Sequence, residues 1–258
     1  VTALVKSCGA VPARIRLDVA LVDRGLAPSR ERARALILAR QVTVDGAIVS
    51  KAGAAVPAGA RIDLTAPDHP YVSRGGVKLA HALDAFTIDP RGRRALDVGA
   101  STGGFTDVLL QRGAESVIAL DVGRGQLDWR LRNDPRVIVR EGVNARALTR
   151  DDVPHRVTIV TIDVAFISLN HVLPALPPFL EADADVVALV KPQFEAGREE
   201  VGKRGIVSDP AVHAAVISRV TAAAASCRLT RIAMAPSAIR GATGNQEFFL
   251  HLRYTMAS

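Results

Sequence analysis

"RALDVGASTGGFTDVLLQRG", residues 94–113, decides how this chain folds. Ala95, Leu96 and Val98 make a short apolar run around Asp97, the pattern of a strand buried on both faces. Gly99 to Gly104 form a tight glycine-rich turn, after which Phe105, Leu109 and Leu110 share the inward face of a helix. A second run, "SVIAL" (116–120), ends in Asp121, 24 positions after Asp97. Strand, glycine turn, helix and strand in this order open a parallel, doubly wound sheet and place a ligand over its first turn.

Two cofactor classes use that geometry. A dinucleotide wants G-x-G-x-x-G, with its pyrophosphate on the helix N-terminus. The spacing here is Gly99-x-x-x-Gly103-Gly104, so that pattern fails. A carboxylate at Asp97 would repel phosphates and attract a cation, and S-adenosylmethionine carries both an ammonium and a sulfonium. The reading is therefore a methyltransferase-type site. Its candidate cofactor residues in the turn are Gly99, Ser101, Thr102, Gly103, Gly104 and Phe105. Asp97 and Asp121 stand at the strand ends, with Asp121 placed for ribose hydroxyls, and Asn144, just past the third strand, lies near the adenine. No metal is implied.

Further strands follow at 136–139, 158–163 and 185–190, then a final antiparallel pair near 231–236 and 247–254. Seven strands in this arrangement predict a Rossmann-like α/β methyltransferase layout from about residue 72 to the end. One of these strands poses a chemical question. "DVVALVKPQFEAG" (185–197) is apolar until Lys191, where a lysine should be costly because desolvating its ammonium opposes folding. The 33 basic residues of the 258 include only five lysines, Lys6, Lys51, Lys78, Lys191 and Lys203. Arginine supplies charge nearly everywhere else, so a lysine at a strand mouth suggests an amine whose proton matters. Asp163 ends the neighbouring strand, Glu247 opens the last one, and Lys78 lies in the lead-in "SRGGVKL". A ribose 2′-hydroxyl, a poor nucleophile until its proton is taken or polarised, suits such a group.

Residues 14–64 differ in texture. Leu17, Ala20 and Leu21 mark one short helix, which Gly25 stops. Pro28 and Ser29 introduce a second, with Ser29 as N-cap and Ala33, Leu36 and Ile37 as its buried stripe. Arg30, Arg32, Arg34 and Arg40 remain outside that stripe. Asp45-Gly46 between β-branched runs marks a hairpin, and Pro57-Ala58-Gly59 turns into "RIDL". Two helices and a small twisted hairpin sheet with an arginine face, Arg14 and Arg16 included, fit an α+β module that binds RNA backbone, and the net charge of +7 fits a polyanionic partner. "TAPDHP" (65–70) reads as a proline-bounded linker, which with Tyr71 separates the two domains.

Two resemblances sharpen this. "RLDVALVDRGLAPSRERARALILARQVTVDGAIVSKAGAAVPAGARIDL" (16–64) resembles the RNA-binding domain named after ribosomal protein S4, which implies docking onto structured RNA with little reading of bases. "SRGGVKL", "LDVGASTGGFTDVLL", "DVGRGQL", "RNDPRV", "DVAFISL", "LVKPQFEAG" and "GNQEFF" are similar to the motifs of the TlyA family, whose catalytic domain resembles the FtsJ-type RNA ribose methyltransferases. The resemblance implies a catalytic set of Lys78, Asp163, Lys191 and Glu247. Lys191 would be the central base, Asp163 and Lys78 would position and tune it, and Glu247 would organise Lys78. It also implies S-adenosyl-L-methionine as cofactor and cytidine 2′-O-methylation of 16S or 23S rRNA within ribosomal subunits. Ala165, where a serine is commoner, and Gly76 depart from the pattern without touching a catalytic side chain.

The loop from Gln193 to Asp209 carries Arg198, Lys203 and Arg204 and is expected to close over substrate RNA. Members of the family have also been called haemolysins, but no apolar run approaches the ~18 residues of a membrane helix. A pseudouridine synthase would need its catalytic aspartate in a "GRLD-x-x-T/S" stretch; the only "RLD" here continues "VALV". A non-catalytic RNA-binding protein is the third alternative, disfavoured by the intact polar set. Cys8 and Cys227 are far apart and fit a reduced, cytoplasmic protein. Residues 1–13 read as a flexible tail, and nothing indicates an oligomer or stable membrane association.

Overall fold

The computed structural model describes residues 14–27, 29–65 and 69–255. The tail at 1–13 with Cys8, Pro28 and the linker residues 66–68 lie outside the described residues. The chain divides into two compact units between Pro70 and Tyr71.

The small unit runs β1 (Arg14–Arg16), α1 (Leu17–Asp23), α2 (Arg30–Leu38), β2 (Val42–Val44), β3 (Ala47–Ile48), β4 (Ala55–Pro57) and β5 (Ile62–Leu64). Ser29 caps α2 by accepting a hydrogen bond from Arg32 N at 3.2 Å. Asp45 and Gly46 both take positive φ, as a two-residue hairpin between β2 and β3 requires. The single hairpin sheet expected here is instead two sheets: β3-β2-β5, and a separate antiparallel pair of β1 with β4. β1 is short and polar, with no apolar alternation to reveal it. Leu17, Leu21, Ala33, Ile37, Val42 and Ile62 form the core.

In the large unit α3 (Arg74–Phe86) leads into β6 (Arg94–Val98), α4 (Gly104–Gln111), β7 (Ser116–Asp121), α5 (Trp129–Arg132), β8 (Val137–Glu141) and β9 (Val157–Ile162). Then come β10 (Leu180–Val190), α6 (Pro192–Glu195), α7 (Pro210–Ser226), β11 (Leu229–Pro236) and β12 (Phe248–Tyr254). These strands make one seven-stranded sheet in the order β11-β12-β10-β9-β6-β7-β8. All run parallel except β12, which pairs antiparallel with β10 and β11 on either side. β10 begins five residues earlier than the apolar run suggests, because Leu180 already pairs with Val157 of β9 ahead of an irregularity between Leu180 and Asp185.

Side chains alternate across the sheet. Leu96, Val98, Val160, Ile162, Val186 and Val190 pack on the α7 face, and Ala95, Ile159, Val187, Leu189 and Phe249 on the face of α3 and α4. Tyr71 joins this second cluster; a Cβ on Gly76 would lie 2.4 Å from its ring, so only glycine lets the ring in. No described helix is long and apolar enough to cross a membrane.

Candidate active site

The parallel strands of the large unit deliver their C-terminal ends to one edge of the sheet, where ligand crevices form. Asp163 follows β9 and donates its backbone N–H to Val98 O at 2.9 Å, fixing it beside the end of β6. Lys191 follows β10, and Pro192 at once opens α6. β12 runs the other way, so its start meets the end of β10: Phe248 pairs with Val190, and Glu247 reaches the same edge. α3 brings Lys78 across from the sheet's face.

The result is two ion pairs. Lys78 Nζ donates to Glu247 Oε2 at 2.6 Å, with side chains only 12% and 2% exposed. Lys191 Nζ lies 2.6 Å from Asp163 Oδ1, with side chains 13% and 22% exposed. That second contact is an ion pair by distance, but Oδ1 receives no well-directed hydrogen bond. Lys78, Asp163 and Lys191 line an open cleft of about 350 Å³ together with Gly99, Ser101, Thr102, Gly104 and Phe105. Glu247 supports Lys78 from behind.

The glycine turn is shaped by what it must avoid. A Cβ on Gly99, at φ 85°, would fall 2.4 Å from Asp163 O, so the glycine allows β6 and β9 to end side by side. Gly103, at φ 94°, leaves space for the side chains of Leu127 and Leu131. Asp121 fastens the turn to the next loop: its Oδ2 accepts from Ser101 N at 2.8 Å and its Oδ1 from Gly123 N at 2.7 Å.

Asp97 differs from expectation. A carboxylate facing a cationic ligand would line the cleft, yet Asp97 is fully buried behind the turn. Its oxygens accept from Thr106 Oγ1 at 2.7 Å and Thr161 Oγ1 at 2.9 Å. Burial pushes its carboxyl up to about 7, against the pull of the two threonine hydroxyls. Asp97 therefore ties β6 to α4 and β9, with both oxygens turned to threonine hydroxyls. The alternation of strand residues carried the signal: position 97 points to the face that α4 covers. Asn144 is exposed and accepts from Arg146 N at 3.1 Å, away from the cleft-lining residues.

Sequence reasoning passed over several residues at the cleft. Ser73, Arg74, Ile239 and Arg240 line it. Phe166, three positions beyond Asp163, is 90% exposed and adopts φ 63°, a left-handed conformation that is strained for a bulky side chain. Its ring lies 5.2 Å from that of Phe194. The basic loop keeps Arg198, Lys203 and Arg204 exposed and off the cleft wall. The far end of that loop is pinned. Buried Asn245 accepts from Val207 N at 2.9 Å and donates to Gly205 O at 2.8 Å.

In the small unit, fully buried Asp18 organises the arginine face. It accepts from Arg16 Nε at 2.9 Å and Nη2 at 3.0 Å, from Arg30 at 3.1 Å and from Arg34 at 3.2 Å. The Arg16 hydrogen bond, with help from the other two arginines, holds its carboxyl well below the usual carboxylate range. The three guanidinium side chains remain half-exposed around one sealed charge. Arg14 donates to Ala55 O, and Arg40 is exposed. The sequence showed these arginines as free surface charge, whereas three of them share one anion.

Comparison with known proteins agrees with this architecture. The FtsJ-like methyltransferase family model matches residues 71–254, and the S4 domain model matches residues 15–62. The 16S/23S rRNA (cytidine-2′-O)-methyltransferase TlyA of Mycobacterium tuberculosis H37Rv is 49% identical over 241 residues, 93% of this chain and 90% of the relative. Hemolysin A of Brachyspira hyodysenteriae is 37% identical over 92% of this chain and 99% of its own length. A solved hemolysin-named structure from Streptococcus thermophilus superposes with a TM-score of 0.75 at 42% identity, covering 96% of this chain and 90% of the other. The chain belongs to the TlyA family, an FtsJ-like methyltransferase domain preceded by an S4 domain.

Proposed function

We propose that this chain transfers a methyl group from S-adenosyl-L-methionine to the 2′-hydroxyl of a cytidine in 16S or 23S rRNA, acting in the cytoplasm on ribosomal subunits. The observation that carries the reading is the Lys191–Asp163 pair at the strand-end cleft, 2.6 Å apart and next to Gly99, where no Cβ would fit. The named relatives supply the nucleotide and the RNA.

The cleft residues suit the cofactor. Gly99 keeps its Cα bare toward the junction of β6 and β9, and Ser101, Thr102 and Phe105 offer hydroxyls and one apolar wall. Asp121 keeps lone pairs for ribose hydroxyls beyond its two backbone bonds. Bound there, S-adenosyl-L-methionine supplies a methyl group made electrophilic by its sulfonium. The chain's own residues do the rest. Lys191, as the amine, accepts the 2′-hydroxyl proton as that oxygen bonds to the methyl carbon and the carbon–sulfur bond breaks with its electron pair left on sulfur. Asp163 stabilises the ammonium formed. Lys78, tethered by Glu247, donates to the ribose, and the fixed frame aligns oxygen, carbon and sulfur.

RNA is held elsewhere as well. Arg74 and Arg240 give the cleft a cationic rim, and exposed Phe166 offers a face on which a base can stack. Arg198, Lys203 and Arg204 extend this surface, while Arg14, Arg16, Arg30, Arg32, Arg34 and Arg40 of the small unit contact RNA backbone.

The test is transfer of labelled methyl groups to purified, unmodified ribosomal subunits, with wild type and Lys191→Met side by side and nuclease mapping of the product. Label on a ribose, lost in the variant, is the expected result. Label on a base, or none on either subunit, would overturn the reading.

A further inference from the structure

One side chain joins the segment that follows Asp163 to the segment that follows Lys191. Glu195, the last residue of α6, accepts from Ser168 Oγ at 2.6 Å through Oε2 and from Leu169 N at 2.7 Å through Oε1. Leu169 is itself buried in the core below, so this end of the bridge does not drift. On the other side, Phe194 N donates to Lys191 O at 2.9 Å and Ala196 N to Pro192 O at 2.9 Å, making α6 one rigid turn. Arg219 of α7 donates to Glu195 O at 3.4 Å and steadies it. The connections close into a ring: Lys191, α6, Glu195, Ser168, back along the chain through Phe166 to Asp163, and across 2.6 Å to Lys191.

Building on the methyl-transfer reading above, we propose that Glu195 is a positioning residue that clips these two segments together and so fixes Lys191 against Asp163. The ion pair cannot do this alone. It is partly open to the cleft, lacks a well-directed hydrogen bond, and such pairs contribute little to order by themselves. A carboxylate that receives a hydroxyl and a backbone N–H is a stronger and more directional tie. The clip is also costly as a purely stabilising feature: burial raises the pKa of the Glu195 carboxyl, and an apolar side chain would fill the space without that penalty. What the carboxylate adds is orientation, and it holds the Phe166–Phe194 contact within the same ring.

The full chain carrying Glu195→Ala, Glu195→Gln or Ser168→Ala tests this. Single-turnover transfer to ribosomal subunits should fall ~100-fold in Glu195→Ala, the scale of a small misplacement of reacting groups. Calorimetric affinity for S-adenosylmethionine should stay within about 2-fold, because the glycine turn is fastened by Asp121 and not by Glu195. Glu195→Gln keeps an acceptor for Leu169 N and can donate to Ser168 Oγ, so it should recover to within ~5-fold of wild type. Ser168→Ala removes one of the two ties and should fall in between. A second readout needs no RNA: the Nζ signal of Lys191 in a nitrogen-labelled sample, assigned with Lys191→Met, should broaden in Glu195→Ala and stay sharp in Glu195→Gln. A Glu195→Ala enzyme with wild-type rate and an unchanged Lys191 signal would overturn the proposal. So would a rate that falls only in step with cofactor affinity and melting temperature. If wild type modifies no ribose while the Lys191 signal still follows the Glu195 series, the clip stands and the assigned reaction falls.

Discussion

Lys78 and Lys191 are both paired lysines at the same sheet edge, yet removing them should do different things. Lys78→Met strands Glu247, which is 2% exposed, as an uncompensated buried carboxylate. Breaking a buried pair from one side costs about 3–5 kcal/mol. Lys191→Met strands Asp163, whose side chain is 22% exposed although Oδ1 itself is buried, so a smaller cost of about 1–3 kcal/mol is expected. At roughly 2–4 °C per kcal/mol for a domain of this size, Lys78→Met should lower the large unit's melting temperature by about 6–20 °C and Lys191→Met by about 2–12 °C. Scanning calorimetry of both variants, alongside labelled methyl transfer, separates stability from chemistry. Both should be inactive, and Lys78→Met should be the less stable of the two. The double exchange Lys78→Met with Glu247→Gln leaves no buried charge and should regain most of the lost stability while remaining inactive. Equal melting shifts for the two single variants would refute the assignment of the deeper burial to the Lys78–Glu247 pair. A Lys191→Met enzyme that still transfers methyl groups would refute its role as base.

Other consequences follow from particular side chains. Asp97 has its carboxyl raised to about 7, so the folded chain holds a proton that the unfolded chain has released between about pH 4 and 7. Its stabilising contribution is full below that window and gone above it, so between pH 5 and 8 wild type should lose about 3 kcal/mol more than Asp97→Asn, as read by denaturant unfolding at the two pH values. A wild type no more pH-sensitive than the variant would mean that Asp97 is ionised in place. Arg30→Gln should weaken RNA binding across unrelated sequences and lower the salt dependence of log Kd by about one; an unchanged slope in a titration from low to high salt would remove Arg30 from the interface. Phe166→Gly relieves a left-handed phenylalanine and should stabilise the chain by about 1 kcal/mol while weakening RNA binding by about 1–3 kcal/mol, seen in melting and in RNA titration. A less stable Phe166→Gly would show that the ring is held for packing.

The local elements were legible because each rests on short-range physics. A β-branched run, a glycine turn and an amphipathic helix identify themselves within about twenty residues, and the Asp45-Gly46 hairpin and Ser29 cap appear where their chemistry requires. The strand-end positions of Asp163 and Lys191 followed from the same logic, since both stand where apolar runs stop. β1 was not legible, because three residues with two arginines have no periodicity and form a strand only when β4 arrives from forty positions away.

What tertiary structure alone decided is the partner of each charge. Sequence showed a row of arginines and a leading aspartate; only folding packs α1 against α2 and turns Asp18 into the shared anion of Arg16, Arg30 and Arg34. Sequence placed Asp97 at a strand end, and the face covered by α4 then sealed it behind two threonines. Glu195 lies in the "LVKPQFEAG" stretch but shows no role there, one more acid at the start of a long loop. It matters because β9 and β10 are neighbours, so the segments that leave them are close enough for one carboxylate to join. Propensity and pattern act over a few residues, and so most strands, turns and helices could be read along the chain. The pairing of charges across 169 positions between Lys78 and Glu247 depends on the order of strands in the sheet, and that exists only once the chain has folded.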